Sequence, residues 1–96
     1  MSDIRVHRYL VEPAELDEFL VRRAELIAAM RTRHPGLLET RLIDLGDGNY
    51  IDTWRWNSPA QMEAAFADIA NIPEVPAAMS LTRDRSADDG SVIDER

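Results

Sequence analysis

Thirteen consecutive residues, Asp47-Gly48-Asn49-Tyr50-Ile51-Asp52-Thr53-Trp54-Arg55-Trp56-Asn57-Ser58-Pro59, constrain the fold more than any other stretch of this chain. Gly46-Asp47-Gly48 supplies residues that tolerate positive φ, so it reads as a tight hairpin turn between Leu37–Leu45 and Asn49–Trp56. The strand that follows carries both tryptophans of the protein. Tyr50, Asp52, Trp54 and Trp56 share one face of it, and Asn49, Ile51, Thr53 and Arg55 the other. Ser58, Pro59 and Gln61 then start a helix, as N-cap, first helical residue and capping-box partner.

Outward from this stretch the remaining elements fall into place. Ile4–Val11 alternates Ile4, Val6, Arg8 and Leu10 against Arg5, His7, Tyr9 and Val11, which predicts a first strand with protein or a pocket on both faces. Pro13 ends it. Ala14–Arg33 reads as a long helix with an apolar stripe of Leu16, Phe19, Leu20, Ala24, Ile27 and Met30. Acidic residues lie at its start, Arg31 and Arg33 at its end, and His34-Pro35-Gly36 stops it, with His34 in a capping role. Met62, Ala65, Phe66 and Ile69 form the buried stripe of the second helix, and Ala77–Leu81 a short helical turn. Ser91–Asp94 is the expected fourth strand, reached through a polar stretch, Thr82–Gly90, of which Arg83–Gly90 is read as a lid or a connection.

Strand, helix, strand, strand, helix, strand is the split β-α-β order of ferredoxin-like α+β folds. It predicts a four-stranded antiparallel sheet with two main helices on one face. The uncovered face would expose an apolar surface, which predicts a homodimer stacked sheet to sheet.

Ninety-six residues make one domain, 1–96, and the 45% apolar content suits a packed core. No apolar run is long enough to span a membrane, and the N-terminus carries no signal-peptide core, which fits a cytoplasmic protein. A net charge of −7 without a basic stripe argues against nucleic acid. Absence of cysteine removes thiolate chemistry, and absence of lysine removes Schiff-base chemistry. Two histidines far apart, with no paired carboxylate motif, offer no metal-ligand spacing.

The chain resembles the antibiotic biosynthesis monooxygenase-like family of the dimeric α+β barrel superfamily. The resemblance rests on Val11-Glu12-Pro13-Ala14 before the long helix, His34-Pro35-Gly36-Leu37 leading into strand two, Trp56-Asn57-Ser58 leading into helix two, and Val92-Ile93-Asp94 near the end. It implies a cavity between helices and sheet in each subunit. It also implies oxygenation of a small aromatic, phenolic or quinol molecule without a cofactor, the deprotonated substrate itself reducing oxygen. Such chemistry needs a base, hydrogen-bond donors and a dry aromatic pocket.

His7 is the first candidate base, because an imidazole can take a proton at neutral pH. Asp52, set among aromatics, is the second, with an ion pair to Arg5, Arg8 or Arg55 as its competing role. Tyr9, Tyr50 and Trp54 are candidate substrate-binding donors or stacking surfaces, with core or dimer packing alone as the competing role of Trp54 and Trp56. A haem-degrading branch of the superfamily is disfavoured, since helix two lacks its tryptophan and residues 71–83 lack its histidine. The contrasting expectation is a non-catalytic dimeric barrel that binds a small ligand or acts as an accessory or stress-related domain.

Overall fold

The computed structural model describes residues 2–96. Its elements are β1 (Asp3–Val11), α1 (Leu16–Arg33), β2 (Leu37–Gly46), β3 (Asn49–Trp56), α2 (Pro59–Ala67), α3 (Glu74–Met79) and β4 (Thr82–Ser91). The four strands form one sheet in the order β2-β3-β1-β4, every neighbouring pair antiparallel. This is the ferredoxin-like arrangement expected from the order of elements.

The β2–β3 hairpin turns on Asp47 and Gly48, both at positive φ (54° and 78°), the geometry of a primed two-residue turn. Gly48 has a second constraint. Its carbonyl accepts from the Val11 backbone N–H at 2.9 Å, and a Cβ on it would sit 2.9 Å from the Val11 carbonyl oxygen. The hairpin tip is thereby fastened to the end of β1. At the other end of β3, the Ser58 hydroxyl accepts from the Gln61 backbone N–H at 3.2 Å, as the capping motif requires. Trp56, completely buried, locks this strand-to-helix junction against Phe66 in α2.

Helix α1 starts after a 3₁₀ turn at Pro13–Glu15 and carries Asp17 and Glu18 in its first turn and Arg31 and Arg33 in its last. His34 caps it through its backbone N–H to the Met30 carbonyl. Its inward face is Phe19, Leu26, Ile27 and Met30, with Leu16 half-buried. Leu20 and Ala24, expected on the stripe, are exposed. The helix is rotated so that steps 16, 19, 23, 26 and 30 face the sheet, which turns Arg23 inward. Ile69, also expected inside, is partly exposed at a cavity rim.

The largest correction concerns β4. It spans Thr82–Ser91 rather than Ser91–Asp94, so the supposed lid is the strand itself, paired along β1 from Val11↔Thr82 to Asp3↔Ser91. All of it but Thr82 is exposed, because no helix covers this edge. A polar, charged edge strand resists pairing with other chains but gives no apolar alternation to read. Opposite Tyr9 the strand carries two residues, Asp84 and Arg85, with Asp84 at φ 54°. This bulge re-aims the following side chain toward the cavity described below.

Candidate functional site

The face of β3 that carries the tryptophans is the helix-covered one. Cross-strand pairing sets Arg5 beside Trp54, His7 beside Asp52 and Tyr9 beside Tyr50 on that face. A cavity of about 320 Å³ lies over it, opening toward β4. The sheet contributes Arg5, His7, Tyr9, Asp52 and Trp54. Helical residues such as Met30, Phe66 and Met79 form an apolar wall, and Arg85, Ser86 and Ala87 of β4 form the open rim.

Asp52 is the most heavily bonded group on this face. Its Oδ1 accepts from Arg23 Nη2 at 2.8 Å and from the Trp54 indole at 3.0 Å; its Oδ2 accepts from the Tyr9 hydroxyl at 2.7 Å and Arg23 Nε at 3.0 Å. Four donors fill the four lone-pair directions of the carboxylate. The competing ion-pair role is therefore realised, but with Arg23 in place of Arg5, Arg8 or Arg55. Sequence reasoning missed Arg23 because an arginine on a helix is read as solvent-facing. Its three- and four-residue spacing from Phe19, Leu26 and Ile27 is the signal that could have found it.

His7 stands directly across the strand pair from Asp52 and has a different environment. Its ring meets Trp54 and Phe66 edge-on, with centroids 6.0 and 6.2 Å away. Among the described residues its nitrogens have no side-chain hydrogen-bond partner. Burial lowers its pKa below the usual 6.5; the Asp52 charge raises it, Arg5 lowers it, and weaker effects of Asp89 and Arg23 oppose each other. Net lowering keeps the imidazole neutral and able to accept a proton at neutral pH. Tyr9 is pushed well above the ordinary phenol range, first by burial and then by Asp52, so it remains a donor.

Tyr9 and Trp54 both line the cavity, with their polar atoms already spent on Asp52. Tyr50 does not line it. It packs in a separate cluster with Tyr9, Val11 and Phe19 and borders another cavity of about 260 Å³ near Arg8 and Asp84.

Two arginines missed as site residues from the sequence bracket the main cavity. Arg5 stacks over the Phe66 ring, 3.6 Å from its centroid, and binds Asp89 through Nε and Nη2 at 2.7 and 3.0 Å. Arg85 is anchored through Nη1 to the Met79 carbonyl and to the Thr82 carbonyl and hydroxyl, at 3.0 to 3.1 Å. Among the described residues no carboxylate pairs with it, so Arg85 is the cavity's uncompensated positive charge. Nothing in the local sequence marks it, since the bulge that turns it inward has no distinctive residue.

Among the described residues there is no group of three or more His, Asp or Glu side chains placed to hold a metal ion. Among the described residues no helix is long and apolar enough to cross a membrane. His34 closes a separate surface network, its Nε2 2.8 Å from Asp68, which also binds Arg33 and Asn71.

No protein-family model matches the chain, and no curated protein does. Solved structures do. A variant of SnoaB, a cofactor-independent oxygenase from Streptomyces nogalater, matches with a TM-score of 0.80 at 21% identity, over 98% of this chain and 95% of that one. An antibiotic biosynthesis monooxygenase matches at 0.70 and 21% identity, over 98% and 100%. Rv0793 from Mycobacterium tuberculosis matches at 0.73 and 14% identity, over 99% and 98%. At these identities the likeness establishes the fold, the ferredoxin-like α+β arrangement found in antibiotic biosynthesis monooxygenases.

Proposed function

We propose that this protein oxygenates a small phenolic or quinol-type aromatic molecule, with His7 as the base and no bound cofactor. One observation carries the reading: a neutral imidazole with no side-chain hydrogen-bond partner among the described residues faces an aromatic-walled cavity. The name of the structurally similar SnoaB supports the reaction class. His7 removes a proton from an acidic substrate position, and Arg85 neutralises the oxyanion that results. The electron-rich anion passes electrons to dioxygen, a carbon–oxygen bond forms, and the resulting peroxide anion takes the proton back from His7 to give a hydroperoxide. Loss of water from a hydroperoxide on a CH centre leaves a carbonyl, so one oxygen atom enters the product and the other leaves as water.

Asp52 takes no proton in this scheme. Its four donors hold Tyr9, Trp54 and Arg23 in place, which makes it a positioning residue. Oxygen uptake with anthrones and hydroquinones tests the reading. His7→Ala is expected to lower the rate by about 10²–10⁴-fold, the usual contribution of a positioned base. An unchanged rate overturns the assignment of His7. The saturation of Asp52 favours one other reading, a ligand-binding barrel without catalysis; ligand binding with no aerobic consumption of any such substrate establishes it.

The open sheet face is proposed to bury itself against a second copy. Ile43 and Leu45 are 43% and 56% exposed there, beside the half-buried Ile4, Val6 and Ile51. Sedimentation at micromolar concentration is expected to give a dimer, and a monomer overturns this.

A further inference from the structure

We propose that the Arg5–Asp89 pair, laid across Phe66, is an end wall that sets how long a ligand the main cavity accepts. The proposal rests on the reading of that cavity as an aromatic site. Arg5, His7 and Tyr9 project to the same face of β1, and the four residue steps from Arg5 to Tyr9 span about 13 Å of extended strand. The cavity follows this line. At the Tyr9 end stands Arg85; at the other end stands Arg5, its guanidinium carbon over the Phe66 ring and its donors turned to Asp89.

Beyond Arg5 the space continues. A further cavity of about 280 Å³ is lined by Arg5 again, together with Asp89, Met62, Glu63 and Ser91. Arg5, held by Asp89, therefore stands between two spaces of similar size, about 320 and 280 Å³, and removing its side chain would join them. The partition runs from Phe66 of α2 through Arg5 of β1 to Asp89 of β4. It is also weakly held. Arg5 and Asp89 side chains are 25% and 46% exposed, and an ion pair of that exposure is readily broken.

The test is binding without turnover, read by quenching of tryptophan fluorescence. The probes are 2-naphthol, a dihydroxyanthraquinone and a dihydroxytetracenequinone, with two, three and four fused rings, under anaerobic conditions. The wild-type protein should bind the two- and three-ring probes and discriminate against the four-ring one by at least about tenfold, within the range that size selection in an apolar pocket achieves. Arg5→Ala should remove that discrimination and leave 2-naphthol affinity within about threefold. Arg5→Ala that weakens all three probes alike makes Arg5 a ligand contact and overturns the end wall, as does an unaltered size profile.

Circular dichroism checks the fold of each variant. Should Arg5→Ala fail to fold, Asp89→Ala decides, because it frees Arg5 to swing aside. Four-ring affinity should then rise about threefold, the equivalent of a surface ion pair; no change overturns the proposal. A wild-type protein that binds none of the probes removes the aromatic-site reading itself, whereas binding with an unaltered size profile removes only the end wall.

Discussion

Two carboxylates on this sheet are gripped by arginine in nearly the same way. Asp52 receives Arg23 through two hydrogen bonds of 2.8 and 3.0 Å, and Asp89 receives Arg5 through two of 2.7 and 3.0 Å. Their surroundings separate them. The Arg23 and Asp52 side chains are 13% and 2% exposed, and two further donors complete Asp52; Arg5 and Asp89 sit at the cavity's wet edge. Equal hydrogen-bond geometry therefore does not mean equal energy. Water competes for the outer pair in both folded and unfolded states, while breaking the inner pair leaves a buried guanidinium without a countercharge.

The sharpest way to break this comparison is to truncate each carboxylate in turn. Asp52→Ala should cost about 3–5 kcal/mol in urea-unfolding free energy, the range for removing one partner of a buried pair. It should also disorder Tyr9 and Trp54, which Asp52 holds, and lower ligand affinity as a consequence. Asp89→Ala should cost at most about 1 kcal/mol, as for exposed pairs. Similar losses for the two variants would show that burial does not rank these pairs.

The same contrast explains what the sequence disclosed. The hairpin, the capping box and the long helix each follow from local chemistry: positive-φ residues at 46–48, Ser58 with Gln61, acid at the start of α1 and arginine at its end. His7, Tyr9, Asp52 and Trp54 were legible as one group because strand alternation puts alternate residues on one face. Arg23 was not, since its inward orientation depends on a rotation of α1 set by packing of Phe19 and Met30, not by composition. Tyr50 shares the face but lies one same-face position beyond Asp52 on β3, outside the cavity, and alternation fixes a face, not a position along it. Strand β4 was hidden for a different reason. A solvent-exposed edge strand is held by backbone pairing to β1, which leaves no side-chain pattern, and the bulge that delivers Arg85 depends on a single Asp at positive φ.

The smallest expected effect lies at His7, which both carboxylates reach. Burial is the main cause of its lowered pKa; Asp52 opposes burial more strongly than Asp89 does. Between the folded-state pKa and the ordinary value near 6.5, the unfolded chain binds a proton that the folded protein does not. Stability contributed by neutral His7 is therefore full above about pH 6.5 and declines as pH falls toward the folded pKa, below which the loss is constant. Unfolding free energies for wild type and His7→Gln should differ by a pH-dependent amount confined to that window, the wild type losing more on acidification. His34 is common to both proteins and cancels in the difference. NMR titration of the His7 ring gives the direct value, which should lie below 6.5, and the acid limb of any oxygenase activity should fall at the same pH. Asp89→Ala should lower the His7 value slightly, and Asp52→Asn should lower it further. A His7 that titrates at or above 6.5 would mean that the charge of Asp52 outweighs burial, and the inner carboxylate would then govern the chemistry of the cavity as well as its stability.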